Sequence, residues 1–186
     1  MSQMKWKKLR SQIAFDHQWC RVRQDTVELP NGKIIDDFFV NIRPDIALVL
    51  AITPQQEIIF VRQYRHGVEQ ILLELPAGSF DLTTEDPETA ARRELAEETG
   101  YHATSLIQLA TLYDNPVKDT NSIHLFLAPE VHYANLKQLD ITEEIDVVLI
   151  SIKDVREKIR TGEICVSGTI TALFLGLDYW QQNEDY

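Results

Sequence analysis

Glu94, Glu97 and Glu98 stand at offsets of zero, three and four within GSFDLTTEDPETAARRELAEETGY, residues 78–101. On a helix that spacing carries three carboxylates to one face. Held that close they repel one another unless something cationic lies among them. All-oxygen donors of this kind suit a hard divalent ion such as Mg2+ or Mn2+. The competing reading is a solvated face laced with Arg92 and Arg93. Asp86-Pro87 predicts the helix start, a capping carboxylate followed by proline at the first helical position. Gly100 predicts its end, because glycine takes the left-handed conformation that closes helices. Ala90, Ala91 and Leu95 supply a small apolar stripe by which the helix packs closely on a core.

The elements that must position this helix lie on both sides of it. Ile46 to Ile52 is a continuous apolar run, which predicts a strand buried on both faces. Glu57 to Val61 predicts a returning strand that delivers Arg62 and Arg65 at its end, both expected on one side of it. Guanidinium groups are well shaped for phosphate oxygens; the plainer reading is a surface pair bridging to Glu57 or Glu69. Ile71 to Gly78 leads into the acidic stretch and carries Glu74, a charge that must find a partner inside so apolar a strand. Later strands are predicted at Ala103 to Leu112, Ile123 to Ala128 and Val147 to Ile152, and helices at Asp154 to Arg160 and Thr169 to Gln181. Leu173, Leu177 and Trp180 form a core-facing stripe on the last. Asn121 and His124 are read either as pocket-lining or as a side-chain cap and a strand histidine.

Residues 5 to 42 alternate like short strands, with Asn31-Gly32 as a tight hairpin turn and Arg43-Pro44-Asp45 as the joint to the next unit. The segment reads as a small antiparallel sheet, giving an N-terminal β subdomain over 1–43 and a larger domain over 44–186. The net charge of -11 argues against a partner recognised by charge attraction to a nucleic-acid backbone. An anionic substrate would need local arginines and bound cations. Cys20 and Cys165 make no metal-ligand pattern and are expected to be buried or idle thiols. No run approaches membrane-spanning length and the basic N-terminus has no apolar core after it, so a cytoplasmic protein is expected.

Arg93-Glu94-Leu95, then Glu97-Glu98, then Gly100, with Glu85 eight residues before Arg93, resembles the signature of the Nudix hydrolases. Six residues separate Gly78 from Glu85 where the pattern has five, and Tyr101 takes an aliphatic place. The resemblance implies an α/β/α sandwich with a mixed sheet. It implies Mg2+ or Mn2+ held by Glu94, Glu97 and Glu98, with Glu85 as a weaker or outer ligand and Arg93 orienting the glutamates. The run Leu73-Glu74-Leu75-Pro76-Ala77-Gly78 resembles that of ADP-ribose pyrophosphatases within the family. There the Ala77 equivalent offers its carbonyl to the metal, with the Glu74 equivalent close by, and the Arg62 and Arg65 region faces diphosphate or partner subunit. Pro116 resembles a downstream proline of the ADP-sugar branch. The general base falls to Glu97, Glu143 or Glu144, with Glu143 the better positional match to an acidic loop that supplies it in some relatives. The implied activity is hydrolysis of a nucleoside diphosphate linked to a sugar, ADP-ribose to AMP and ribose 5-phosphate first, in a homodimer joined through the N-terminal sheet. Another nucleotide sugar such as GDP-mannose, or a non-catalytic nucleotide sensor, is the alternative.

Overall fold

Apolar side chains at every position of Ile46 to Ile52 need cover on two sides, and the chain supplies it. A computed structural model describes residues 4–135 and 144–183. They divide into two compact units, Met1–Pro44 with Tyr113–Ser122, and Asp45–Leu112 with Ile123–Tyr186.

In the second unit, strand β4 (Asp45–Ala51) lies inside a four-stranded sheet of order β7-β4-β10-β9. Its partners are β7 (Ala77–Phe80), antiparallel, and β10 (Ser122–Ala128), parallel, with β9 (Ile107–Tyr113) at the edge. A second, antiparallel sheet runs β12 (Ile145–Ser151), β5 (Glu57–Arg65), β6 (Gln70–Glu74). Because side chains alternate along a strand, β4 feeds two cores. Leu48 and Leu50 pack with Ile58, Phe60 and Leu73 against Leu173 and Ala172 of α3 (Ser167–Asn183) and Val155 of α2 (Ile152–Arg160). Ala47, Val49 and Ala51 pack with Ile59 against Ala90, Ala91 and Leu95 of α1 (Pro87–Thr99). Small residues on both sides of the second interface let α1 lie close to the sheet. The unit is mixed α/β, with α1 on one face and α2 and α3 on the other.

α1 begins and ends where the sequence places it. The Asp86 carboxylate accepts from the amides of Glu88 and Thr89 at 3.1 Å each. Gly100 closes the helix at φ +77°, its N–H donating to the Ala96 carbonyl. The predicted strand from Ala103 to Leu112 is instead two strands. β8 (Tyr101–Ala103) pairs with β11 (Val131–Tyr133), and β9 starts only at Ile107 beside β10. One straight run cannot serve two different sheets, so the chain breaks at 104–106. The run from Ile71 to Gly78, read as one strand, is likewise divided: β6 ends at Glu74 and β7 takes up Ala77–Phe80 in the other sheet.

In the first unit β1 (Lys7–His17), β2 (Cys20–Glu28) and β3 (Ile34–Ile42) form an antiparallel sheet. The Leu29–Lys33 turn is closed by Gly32 N–H to the Leu29 carbonyl at 2.9 Å. The turn at 113–122 belongs to this unit. Asn41 N–H donates to the Lys118 carbonyl at 2.7 Å, and Arg43 meets Asp119 at 3.2 Å. Every residue of β1 is exposed. Cys20 and Cys165 are free and exposed, so neither thiol is buried. Among the described residues no helix is long and apolar enough to cross a membrane.

Candidate active site on α1

The site begins with backbone. β6 and β7 are joined by Leu75-Pro76, and the Pro76 carbonyl accepts from Val49 N–H of β4 at 2.9 Å. The Ala77 N–H, just after the proline, donates to Glu98 Oε2 at 3.1 Å. Gly78 comes next. A Cβ built on it would stand 1.9 Å from the Glu94 carboxyl carbon and 2.1 Å from both its oxygens. Glu94 therefore occupies the room a side chain at position 78 would need. The two carboxylates from one face of α1 thus converge on consecutive residues of β7.

Arg93 binds the rest. Its Nε and Nη2 donate to the two oxygens of Glu85 at 3.0 and 2.9 Å, a bidentate pair. Its Nη1 donates to Glu94 at 2.6 Å and to Glu97 at 3.0 Å. The hydrogen bonds it donates to Glu85, with those to Glu94 and Glu97, hold the guanidinium well above its ordinary pKa, so it stays charged. Glu94 and Glu98 are only 8% and 3% exposed. Ionised carboxylates that deep are costly without charged or hydrogen-bonding partners. Arg92, the other arginine of the stretch, turns away to Glu88 at 2.8 Å and to the Ala103 carbonyl at 2.9 Å.

Three carboxylates, Glu85, Glu94 and Glu97, face one guanidinium here with Glu98 on the same helix, and the donors are all oxygen, so the set fits a hard divalent cation in chemistry. Gly78, lacking a side chain, leaves the Glu94 carboxylate its place against the backbone. Among the described residues, however, no three acidic, histidine or cysteine side chains are arranged around one point that would hold an ion. Arg93 accounts for this, because it draws Glu94 and Glu97 to itself.

Glu74 has the partner its burial demands. Arg65 Nε and Nη2 both donate to Glu74 Oε2, at 2.9 and 2.5 Å, and Gln63 Nε2 lies 3.4 Å from the same oxygen. The expectation that Arg62 and Arg65 share a side of the strand is wrong. They are three residues apart, and an odd offset on a strand reverses the face. Gln63 and Arg65 share the face of Ile59, which packs with α1, whereas Arg62 shares that of Phe60 in the α2–α3 core. Gln63 was missed, although the same parity would have found it.

Glu144 is exposed and precedes β12, whose Ile145 pairs with Gln63, so it stands at the Arg65 end of that sheet. Glu143 lies outside the described residues. His124 is held structurally: Asp45 Oδ2 is 2.9 Å from its Nε2, Thr111 Oγ1 is 3.3 Å from its Nδ1, and Phe80 packs edge-on. Both side-chain polar atoms of Asn121 are buried without a hydrogen-bond partner among the described residues.

A family description of the Nudix domain matches residues 42–166, which contain the whole of this site. The chain belongs to the Nudix family. The description of the nucleoside diphosphate sugar hydrolase N-terminal domain matches residues 6–41. The Nudix chain is 32% identical over 174 residues to an ADP-ribose pyrophosphatase of Bacillus subtilis, covering 93% of each. It is also 32% identical over 168 residues to a methanol dehydrogenase activator of Bacillus methanolicus, covering 90% of each. A solved structure described as an ADP compounds hydrolase superposes with a TM-score of 0.87 over all of both chains at 21% identity, a likeness of fold. Nudix hydrolases generally need divalent metal ions.

Proposed function

We propose that this Nudix protein hydrolyses the diphosphate bond of a nucleoside diphosphate sugar, with ADP-ribose cleaved to AMP and ribose 5-phosphate. The observation that carries the reading is the carboxylate cluster of α1, drawn together by Arg93 and set against the Ala77–Gly78 backbone. The N-terminal match to nucleoside diphosphate sugar hydrolases and the ADP-ribose pyrophosphatase relative support the substrate class.

Glu94, Glu98 and the Ala77 carbonyl, with Glu97 and Glu85 beside them, would hold Mg2+ or Mn2+. A divalent cation there supplies positive charge against the diphosphate and makes water a better nucleophile near neutral pH. Arg93 keeps Glu85, Glu94 and Glu97 aimed. Arg65, fixed along one edge by Glu74, has its Nη1 without a hydrogen bond among the described residues, and offers it to an anionic oxygen on the face that α1 covers. Arg62, on the opposite face, is better placed for contacts outside the site. Water adds at one phosphorus, the bridging P–O bond breaks, and the second phosphate leaves with the bridging oxygen. The proton lost by water goes to a carboxylate, Glu97, Glu143 or Glu144. Support for Glu144 is its place at the Arg65 end of the β12-β5-β6 sheet.

The protein works as a homodimer in this reading. β1 is exposed along its whole length and carries Leu9, Ile13 and Phe15, 44–55% exposed, an apolar surface suited to a second copy.

ADP-ribose, GDP-mannose, ADP-glucose and NADH, each with Mg2+ and a phosphatase that releases phosphate from the products, test the activity. ADP-ribose is expected to give the highest kcat/KM. Release from GDP-mannose alone would change the substrate, and release from none would make the fold a ligand-binding module.

A further inference from the structure

Leu75-Pro76-Ala77 carries two amide donors, since proline has none, and they are held from opposite sides of the sheet. Ala77 N–H donates to Glu98 of α1. Leu75 N–H donates to Thr169 Oγ1 of α3 at 3.1 Å, with both residues about 1% exposed. Between them the Pro76 carbonyl is bound to Val49 of β4. The first turn of α3 is seated close by, with Gly168 against Leu48 and Ile123, and Leu48 pairs with Ala77. Proline's fixed φ makes the segment stiff, so the placement of Leu75 carries through to Ala77.

We propose that Thr169 is a positioning residue for the α1 site, holding the Leu75-Pro76-Ala77 backbone in register with Glu98 from the far face of the sheet. The inference rests on the reading of the α1 carboxylates as a cation site. Threonine hydroxyls within helices commonly bond to the preceding turn, as Thr171 does to the Ser167 carbonyl. Thr169 also uses its oxygen as an acceptor, for the amide of the β6–β7 link 94 residues away in sequence. A valine of the same shape would leave that amide buried and unpaired, freeing the segment to shift away from Glu98.

The test has two arms. Mn2+ is titrated without substrate by electron paramagnetic resonance, and hydrogen exchange of residues 72–80 is followed in metal-free protein. Thr169→Val is expected to bind Mn2+ at least fivefold more weakly and to exchange this segment faster. Its kcat falls with the substrate KM little changed, and Thr169→Ser restores all three. Leu177→Ala, which loosens α3 elsewhere, controls for lost stability and is expected to keep Mn2+ affinity within twofold. Should Thr169→Val not fold, Thr169→Ala replaces it. Unchanged Mn2+ affinity in a folded hydroxyl-free variant, or equal weakening by Leu177→Ala, overturns the proposal. A wild-type protein that binds no Mn2+ overturns the cation site itself, and the positioning role with it.

Discussion

Glu98 and Gly78 are the two residues whose chemistry is most exposed to test, because a conservative change at either alters a single feature of the site, the charge at Glu98 and the bare backbone at Gly78. Glu98→Gln keeps an oxygen for the Ala77 amide but loses the charge a cation needs. Turnover is expected to fall at least tenfold, about 1.4 kcal/mol or more on the barrier, with the melting temperature little changed. Unchanged turnover would show the acidic face to be only a surface. Gly78→Ala puts a methyl group where the Glu94 carboxylate lies. Glu94 must then swing away, so kcat is expected to drop tenfold or more while circular dichroism stays native. Full activity in this variant would remove Glu94 from the site. Arg93 stays protonated at every pH at which the fold survives, so the pH–rate profile is expected to report carboxylates alone.

Helix α1 owes its register to its ends, and α3 owes its closeness to the sheet to one small residue. Hydrogen bonds from the Thr89 hydroxyl and amide, with that of Glu88, hold the Asp86 carboxyl below its ordinary value of 3.8. A depressed folded pKa stabilises above the unfolded value and is lost as pH falls through the folded one. Asp86→Ala is therefore expected to melt earlier at pH 7, and the gap to the wild type should close as pH drops below 3.8. A gap independent of pH would show that the charge of the cap is irrelevant. On α3, a Cβ at Gly176 would stand 2.2 Å from Leu50 Cδ2, and Leu50 is fully buried between β4 and α3. Alanine's helix propensity favours the change by about 1 kcal/mol, whereas overpacking costs about 1–3 kcal/mol. The overlap here is severe, so Gly176→Ala is expected to lower stability in urea unfolding. A rise would mean that the interface has slack.

At the level of the whole molecule, the exposed apolar surface of β1 predicts a particle of twice the 21.4 kDa chain mass by light scattering. A monomer mass would leave the sheet of the first unit without that role. The acidic helix, its cap and its stop were legible from residues 86–100 alone, because capping, helix termination and the three-and-four spacing are local rules. So was the doubly buried β4, whose run of apolar residues has one reasonable explanation. Tertiary packing was needed for everything that joins distant parts of the chain. No spacing rule ties Thr169 to Leu75, or Glu98 to Ala77, or assigns the turn at 113–122 to the first unit. The same is true of Ala103 to Leu112, where local propensity reads one strand and competing sheets demand two. Short-range stereochemistry is written in neighbouring letters, whereas the partner of a backbone amide is chosen by how the finished layers stack.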